Sequence, residues 1–132
     1  MASIYATDKD IKIEKTLIED YNVYIDENKF LACIVNIIKN AIEAINDNGI
    51  IKISENLDKD NIHIKISNNG EEISKEKQNT IFKEGFTTKK TGSGLGLHIC
   101  SNNLKAQNAI LKLNHSTSQN TEFEIILPVH KN

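Results

Sequence analysis

At 132 residues, 39% apolar and 26% charged, the chain is the size of one domain, with enough apolar material for a core and too much for a disordered segment. Its longest uninterrupted apolar stretch, Phe30 to Val35, cannot cross a membrane, and no charged n-region followed by an apolar block opens it as a secretory leader would. A formal charge of −2 and no basic patch interleaved with aromatics exclude nucleic-acid binding through phosphate contacts.

Residues 1–9 are polar and irregular, a disordered or cloning-derived extension ahead of one domain over 10–132. Alternation of Ile11 and Ile13 with Lys12 and Glu14 predicts a strand from Asp10 to Thr16, and Tyr21 to Ile25 reads as a second. Helical periodicity then runs from Glu27 to Asn46 and meets the turn residues Asp47-Asn48-Gly49. Strands follow at Ile50–Glu55 and Asn61–Ser67, joined through Asp58-Lys59-Asp60. In the second of these, Ile62, Ile64 and Ile66 share one face and His63, Lys65 and Ser67 the other, the pattern of a sheet covered on one side only. A short helix from about Ser74 to Phe82, a glycine-rich loop over Gly85–Gly96, a helix from about Leu95 to Ala106 and strands at Ala109–Asn114 and Glu122–Leu127 complete the order. The expected fold is α+β: a two-layer sandwich, its mixed, mostly antiparallel sheet of about five strands covered on one face by three helices.

On the first helix, Asn36, Asn40 and Glu43 fall within about 60° of one another at 100° per residue. Ile34, Ile38, Ile42 and Ile45 fall opposite. A solvated face would look similar, but asparagine is a poor helix former, and two carboxamides one turn apart suit a polar ligand or a hard cation. Gly92-Ser93-Gly94-Leu95-Gly96-Leu97 frees the backbone at a helix start, where amides attract phosphate. It lacks the GxxxxGK[ST] order of a P-loop and follows no strand of a βαβ unit. Cys33 and Cys100 show no metal-ligand spacing and read as reduced structural thiols.

The order of these segments is similar to that in the ATP-binding catalytic domain of sensor histidine kinases, within the superfamily that includes gyrase, Hsp90 and MutL. Asn36-Ile-Ile-Lys-Asn40-Ala-Ile-Glu43-Ala44 resembles the N box, and Ser67-Asn68-Asn69-Gly70-Glu71-Glu72-Ile73 the first glycine box. Ile81 to Lys89 resembles the F box, Gly92 to Leu97 the second glycine box, and Thr121 to Pro128 the closing strand. The resemblance implies a left-handed βαβ-type pocket for Mg-ATP. In it Asn40 holds Mg²⁺, Asn36 contacts phosphate, and Lys39 or Glu43 helps bind phosphate or ribose. Gly92, Gly94, Leu95, Gly96 and Leu97 then line the phosphate end, and Asn68, Gly70, Ile73, Phe82 and Thr121 the base end. Gly85 to Gly94 would be a lid, carrying Thr87, Thr88, Lys89 and Lys90 toward the phosphates.

Three departures stand out: Asn68 replaces the adenine-reading Asp, Glu72 replaces the second glycine of its box, and no arginine is present to reach the γ-phosphate. Gyrase-like ATPases carry a Glu where Asn36 stands, and a carboxamide cannot act as the base that activates water. The resemblance therefore implies a kinase domain that presents Mg-ATP to a histidine on a separate dimerisation domain, and through it indirectly serves a response regulator. The acceptor is expected to be absent, since His63, His98, His115 and His130 are followed by Ile, Ile, Ser and Lys, not by an acid. The expectation is a monomeric, cytoplasmic catalytic fragment of a parent kinase that is cytosolic or anchored in the cell membrane. A non-catalytic nucleotide-binding module is the rival, and a gyrase- or Hsp90-type ATPase the third reading.

Overall fold

A computed structural model describes residues 10–17, 23, 25–83 and 94–129. Its elements in chain order are β1 (Ile11–Thr16), α1 (Glu27–Ala44), β2 (Gly49–Leu57), β3 (Asn61–Asn68), α2 (Lys75–Gln78), α3 (Gly94–Lys105), β4 (Ile110–Ser116) and β5 (Thr121–Pro128). They form one five-stranded sheet in the order β1-β2-β3-β5-β4, parallel only between β1 and β2, with α1 as the crossover between that pair. The α+β sandwich expected from the sequence is the fold observed. The strand expected at Tyr21–Ile25 lies mostly outside the described residues. Val23 and Ile25, which are described, are not in a strand and pack partly buried against the core.

Period-two alternation decides which way the sheet faces. Ile62, Ile64 and Ile66 on β3 and Phe123, Ile125 and Leu127 on β5 are buried beneath the helices. Their neighbours His63, Lys65, Ser67, Glu122 and Glu124 point to the open side. A bulge between Leu113 and His115 adds one residue to β4 and reverses its parity, so Ser116 is turned inward opposite Thr121. Sequence alternation alone cannot place such a bulge.

Asp26 caps α1 by accepting from the Lys29 amide at 3.1 Å, with Glu27 in the first turn. The helix stops at Ala44, two residues short of the sequence expectation. Asp47 accepts from the Asn48 amide and Asn48 takes φ 39°, turn chemistry that ends the helix earlier. The buried stripe of α1 is Cys33, Ile37, Ile38, Ala41 and Ile45, whereas Ile34 and Ile42 are only half-buried. The stripe is rotated toward Asn36 from the expected opposite side because α1 packs on two neighbours, the sheet and α3. The short helix expected over Ser74–Phe82 is a single turn, capped by Ser74 and without buried residues, and it runs into turns up to Phe82. At its far end α3 closes in a Schellman motif: the Ala109 amide bonds the Leu104 carbonyl and the Asn108 amide the Lys105 carbonyl, with Asn108 at φ 63°.

Candidate functional site

The seam between α1 and α3 brings together the two segments that the sequence analysis singled out. A Cβ added to Gly96 would lie 2.8 to 3.0 Å from Asn36 Nδ2, Cγ and Oδ1, so the carboxamide rests directly on the glycine backbone. This approach is what the absent side chain permits. Asn36, Asn40 and Glu43 are all half-buried along that side of α1, Lys39 is exposed, and Leu97 is buried at the start of α3. Asn36 is thus turned neither into the apolar interior nor away from the second glycine box. Gly94 and Leu95 open α3, while Thr87, Thr88, Lys89, Lys90 and Gly92, with most of the proposed lid, lie outside the described residues.

A sulfur orients Asn36. Its Nδ2 donates to Cys100 Sγ at 3.6 Å, four residues beyond Gly96 on the same side of α3. Cys33 and Cys100 are both free thiols in the core, 1% and 2% exposed. A hydrogen bond from Cys33 pulls the Cys100 thiol down to about 7 against the opposing effect of burial, with the Asn36 amide adding to the pull. The same Cys33–Cys100 contact, reinforced by burial and by the Cys100 charge, pushes the Cys33 thiol far up. Cys100 therefore touches the candidate site, a role the sequence reading missed. Its spacing of four from Gly96 was the available signal.

The first glycine box closes the other end. Gly70 packs so tightly on the end of α1 that a Cβ there would lie 2.6 Å from the Ala44 carbonyl carbon and oxygen, and the Glu71 amide donates to that oxygen at 2.7 Å. Asn68, 5% exposed at the end of β3, accepts from the Gly70 amide through Oδ1 at 2.8 Å. The next residue, Asn69, ties this loop to β2 by accepting from the Ile50 amide. Thr121, 2% exposed, sits opposite Asn68 in the ladder and shares a 2.6 Å hydrogen bond with Ser116, whose hydroxyl oxygen also accepts from the Ile73 amide. Ser116 is the second residue that sequence reasoning missed, for it reaches this cluster only through the bulge. Phe82 stands edge-on to Phe123 with ring centroids 6.3 Å apart, and its carbonyl accepts from His98 Nδ1 at 3.2 Å.

Among the described candidate positions, Asn36 lies against Gly96 in the seam between α1 and α3, while Asn68, Gly70, Ile73 and Thr121 gather about the tip of β3. Glu72 is exposed, so its side chain is accommodated where the resembling box has a glycine. His63 and His115 lie on strands and His98 on α3, each hydrogen-bonded to another side chain.

Residues 25–131 match the family described as "Histidine kinase-, DNA gyrase B-, and HSP90-like ATPase". The chain is 35% identical over 121 residues to sporulation kinase C of Bacillus subtilis (strain 168), covering 90% of this chain and 28% of that protein. To sporulation kinase A of the same organism it is 30% identical over 116 residues, 86% of this chain and 19% of the relative. It thus spans under a third of either curated relative. Among solved structures it superposes on the catalytic domain of histidine kinase ThkA with a TM-score of 0.80 at 29% identity, covering 89% of this chain and 78% of that one.

Proposed function

Because the chain belongs to the family of histidine kinase-, DNA gyrase B- and HSP90-like ATPases, we propose that it is the nucleotide-binding catalytic domain of a sensor histidine kinase. It presents a Mg²⁺–nucleoside triphosphate for transfer of the γ-phosphoryl group to a histidine on a separate dimerisation domain of its parent. The observation that carries this reading is Asn36 seated on Gly96, which joins the carboxamide side of α1 to the start of α3, where backbone amides attract phosphate.

The donor set fits a magnesium-bound triphosphate. Magnesium takes few protein oxygens and keeps several waters, and Asn40 would hold it through its carboxamide oxygen. The ion would neutralise phosphate charge during transfer. Asn36 would bind phosphate, as would the amides of Gly94 to Leu97, and Lys39 or Glu43 would help bind phosphate or ribose. Thr87, Thr88, Lys89, Lys90 and Gly92, outside the described residues, would serve the phosphate end, and with no arginine in the chain γ-phosphate contact would fall to Lys89 or Lys90. Ile73, Phe82 and Gly70 bound the base.

Hydrolysis is not favoured, since Asn36 cannot accept a proton from water. Transfer to an imidazole requires no such base, and catalysis becomes positioning and charge neutralisation. A purely non-catalytic module is not favoured either, because the curated relatives are named as kinases. The domain acts on the cytoplasmic side, as a monomer unless joined to its parent's dimerisation segment. Among the described residues no helix is long and apolar enough to cross a membrane.

Calorimetric titration with Mg²⁺–nucleotide, followed by addition of the parent's acceptor segment in trans, tests the reading. Binding that is lost in Asn40→Ala, and phosphohistidine formed only when the acceptor is supplied, are expected. No binding by a folded chain, or steady phosphate release without an acceptor, would overturn it.

A further inference from the structure

We propose that Cys33 and Cys100 form a reversible disulfide across the seam between α1 and α3, and that closing it weakens nucleotide binding by taking from Asn36 the sulfur that orients it. The disulfide rests on the two thiols alone, whereas its effect on affinity rests on the nucleotide-site reading above.

Gly96 lets α3 approach α1 so closely that the Asn36 carboxamide fills the space of the missing side chain. Three residues before Asn36 on α1 and four after Gly96 on α3, about one turn along each helix from that contact, stand Cys33 and Cys100. Both thiols are free, buried in the core and hydrogen-bonded to each other. Cys100 Sγ also accepts from Asn36 Nδ2 at 3.6 Å. One sulfur thus has two partners, a second thiol and a carboxamide of the candidate site. Packing asks only for small apolar side chains at these two positions. It does not ask that the thiols bond each other, nor that one of them hold a residue of the site.

The oxidant is a peroxide, small enough to enter beside the half-buried Asn36. The Cys100 thiol, lowered to about 7, is substantially thiolate at neutral pH, the form that reacts. Its sulfur attacks one oxygen of hydrogen peroxide, the O–O bond breaks, and the departing hydroxide takes a proton from solvent to become water, leaving a sulfenic acid on Cys100. Cys33 is kept protonated by its hydrogen bond to Cys100, by burial and by the Cys100 charge, and that charge is gone once the sulfenic acid forms. The Cys33 sulfur then attacks the Cys100 sulfur, the S–O bond breaks, and the hydroxyl leaves as water with the Cys33 proton. Two thiols have lost two electrons and two protons, and the peroxide has become two waters. The bridged Cys100 sulfur carries no charge and is drawn toward Cys33, so Asn36 Nδ2 loses its acceptor.

The test treats the reduced, unmodified chain with hydrogen peroxide. Cysteine peptides are mapped by mass spectrometry, and Mg²⁺–ATP is titrated calorimetrically before treatment, after it, and after dithiothreitol. A peptide linking residues 33 and 100, an affinity lower by at least about threefold, and full recovery on reduction are expected. In Cys33→Ala the Cys100 sulfenic acid has no thiol to meet and should oxidise further, to a form that dithiothreitol does not restore. No such link in the folded, peroxide-treated chain overturns the disulfide. A link that leaves affinity unchanged or raises it overturns the effect on the site, and both of these results leave the nucleotide reading standing. Binding of Mg²⁺–ATP by neither the reduced nor the oxidised folded chain overturns the nucleotide reading, and the regulation with it. The measurements on the unmodified chain decide the matter even if Cys33→Ala does not fold.

Discussion

On the helix-covered side of the sheet, Asn36 and Asn68 each have one atom of the carboxamide engaged by the protein, Nδ2 by Cys100 Sγ and Oδ1 by the Gly70 amide. On the open side a group of polar side chains pairs with one another. His63 bridges Glu124 through Nδ1 and Asp58 through Nε2, both at 2.5 Å, and Glu124, 5% exposed, also accepts from Asn114 and lies 3.8 Å from the Lys112 ammonium. The contrast separates two uses of a polar group in a protein interior. A closed network serves the fold, whereas a carboxamide with only one atom engaged by the protein keeps capacity to bind a ligand.

Two glycines break this comparison most severely, and in different ways. Gly70→Ala drives a methyl group into backbone, 2.6 Å from the Ala44 carbonyl, where nothing can rotate aside. A loss of about 3 kcal/mol in stability is expected, read from denaturant midpoints. Gly96→Ala meets only the Asn36 side chain, which can turn away, and alanine recovers part of the cost through helix propensity. Its stability should change by less than about 1 kcal/mol, while nucleotide affinity falls at least about tenfold in titration as Asn36 leaves its seat. Equal effects of the two substitutions on stability would erase the distinction between a structural and a ligand-facing glycine.

The open-face network should respond to pH and not to nucleotide. Hydrogen bonds to Glu124 and then Asp58 raise the His63 pKa. Burial pushes the Glu124 carboxyl up, but the hydrogen bonds from Asn114 and His63 and the Lys112 charge together bring it below its ordinary value. Asp58 is lowered chiefly by His63 and then by the Asn61 and Asp60 amides. A raised histidine stabilises the fold fully below its ordinary value of 6.5, and that contribution is lost as pH rises through the folded value. The lowered carboxylates contribute above their ordinary values of 3.8 and 4.5 and lose that contribution as pH falls. The network therefore stabilises most between about pH 4.5 and 6.5. Thermal melts of His63→Gln against the unmodified chain should differ most near pH 5.5 and converge toward pH 9. Glu124→Gln should cost about 2 kcal/mol near pH 5.5, and neither change should move nucleotide affinity more than about twofold. A large affinity change would mean that the two faces are coupled through β3 and β5.

The two faces were also unequally legible in the sequence. Alternation on β1, β3 and β5 is enough to orient the sheet, because a period of two carries its own register. The asparagine stripe and the glycine run were visible because both residue types are unfavourable in a helix and must be compensated by something. The rotation of α1 was not visible, since a helix packed on two neighbours buries a wider arc than its isoleucines mark. Ser116 was hidden because a bulge at one residue of β4 changes which side chains face inward. That the Gly70 amide binds the Asn68 carboxamide oxygen was equally hidden, because the tight turn at Gly70 makes that contact.

The smallest expected effect isolates the contact that orients Asn36. Cys100→Ala removes the sulfur that accepts from Nδ2 and leaves a small void among Cys33, Leu97 and Leu104, at a cost of about 1 kcal/mol in stability. Freed from that contact, the Asn36 carboxamide samples both orientations, and nucleotide affinity should fall about threefold. Cys100→Ser keeps an acceptor at the same place but buries a hydroxyl, so it should lose at least as much stability as the alanine variant while retaining affinity. If affinity instead follows stability across both variants, the sulfur merely fills space, and Asn36 is positioned by its seat on Gly96 alone.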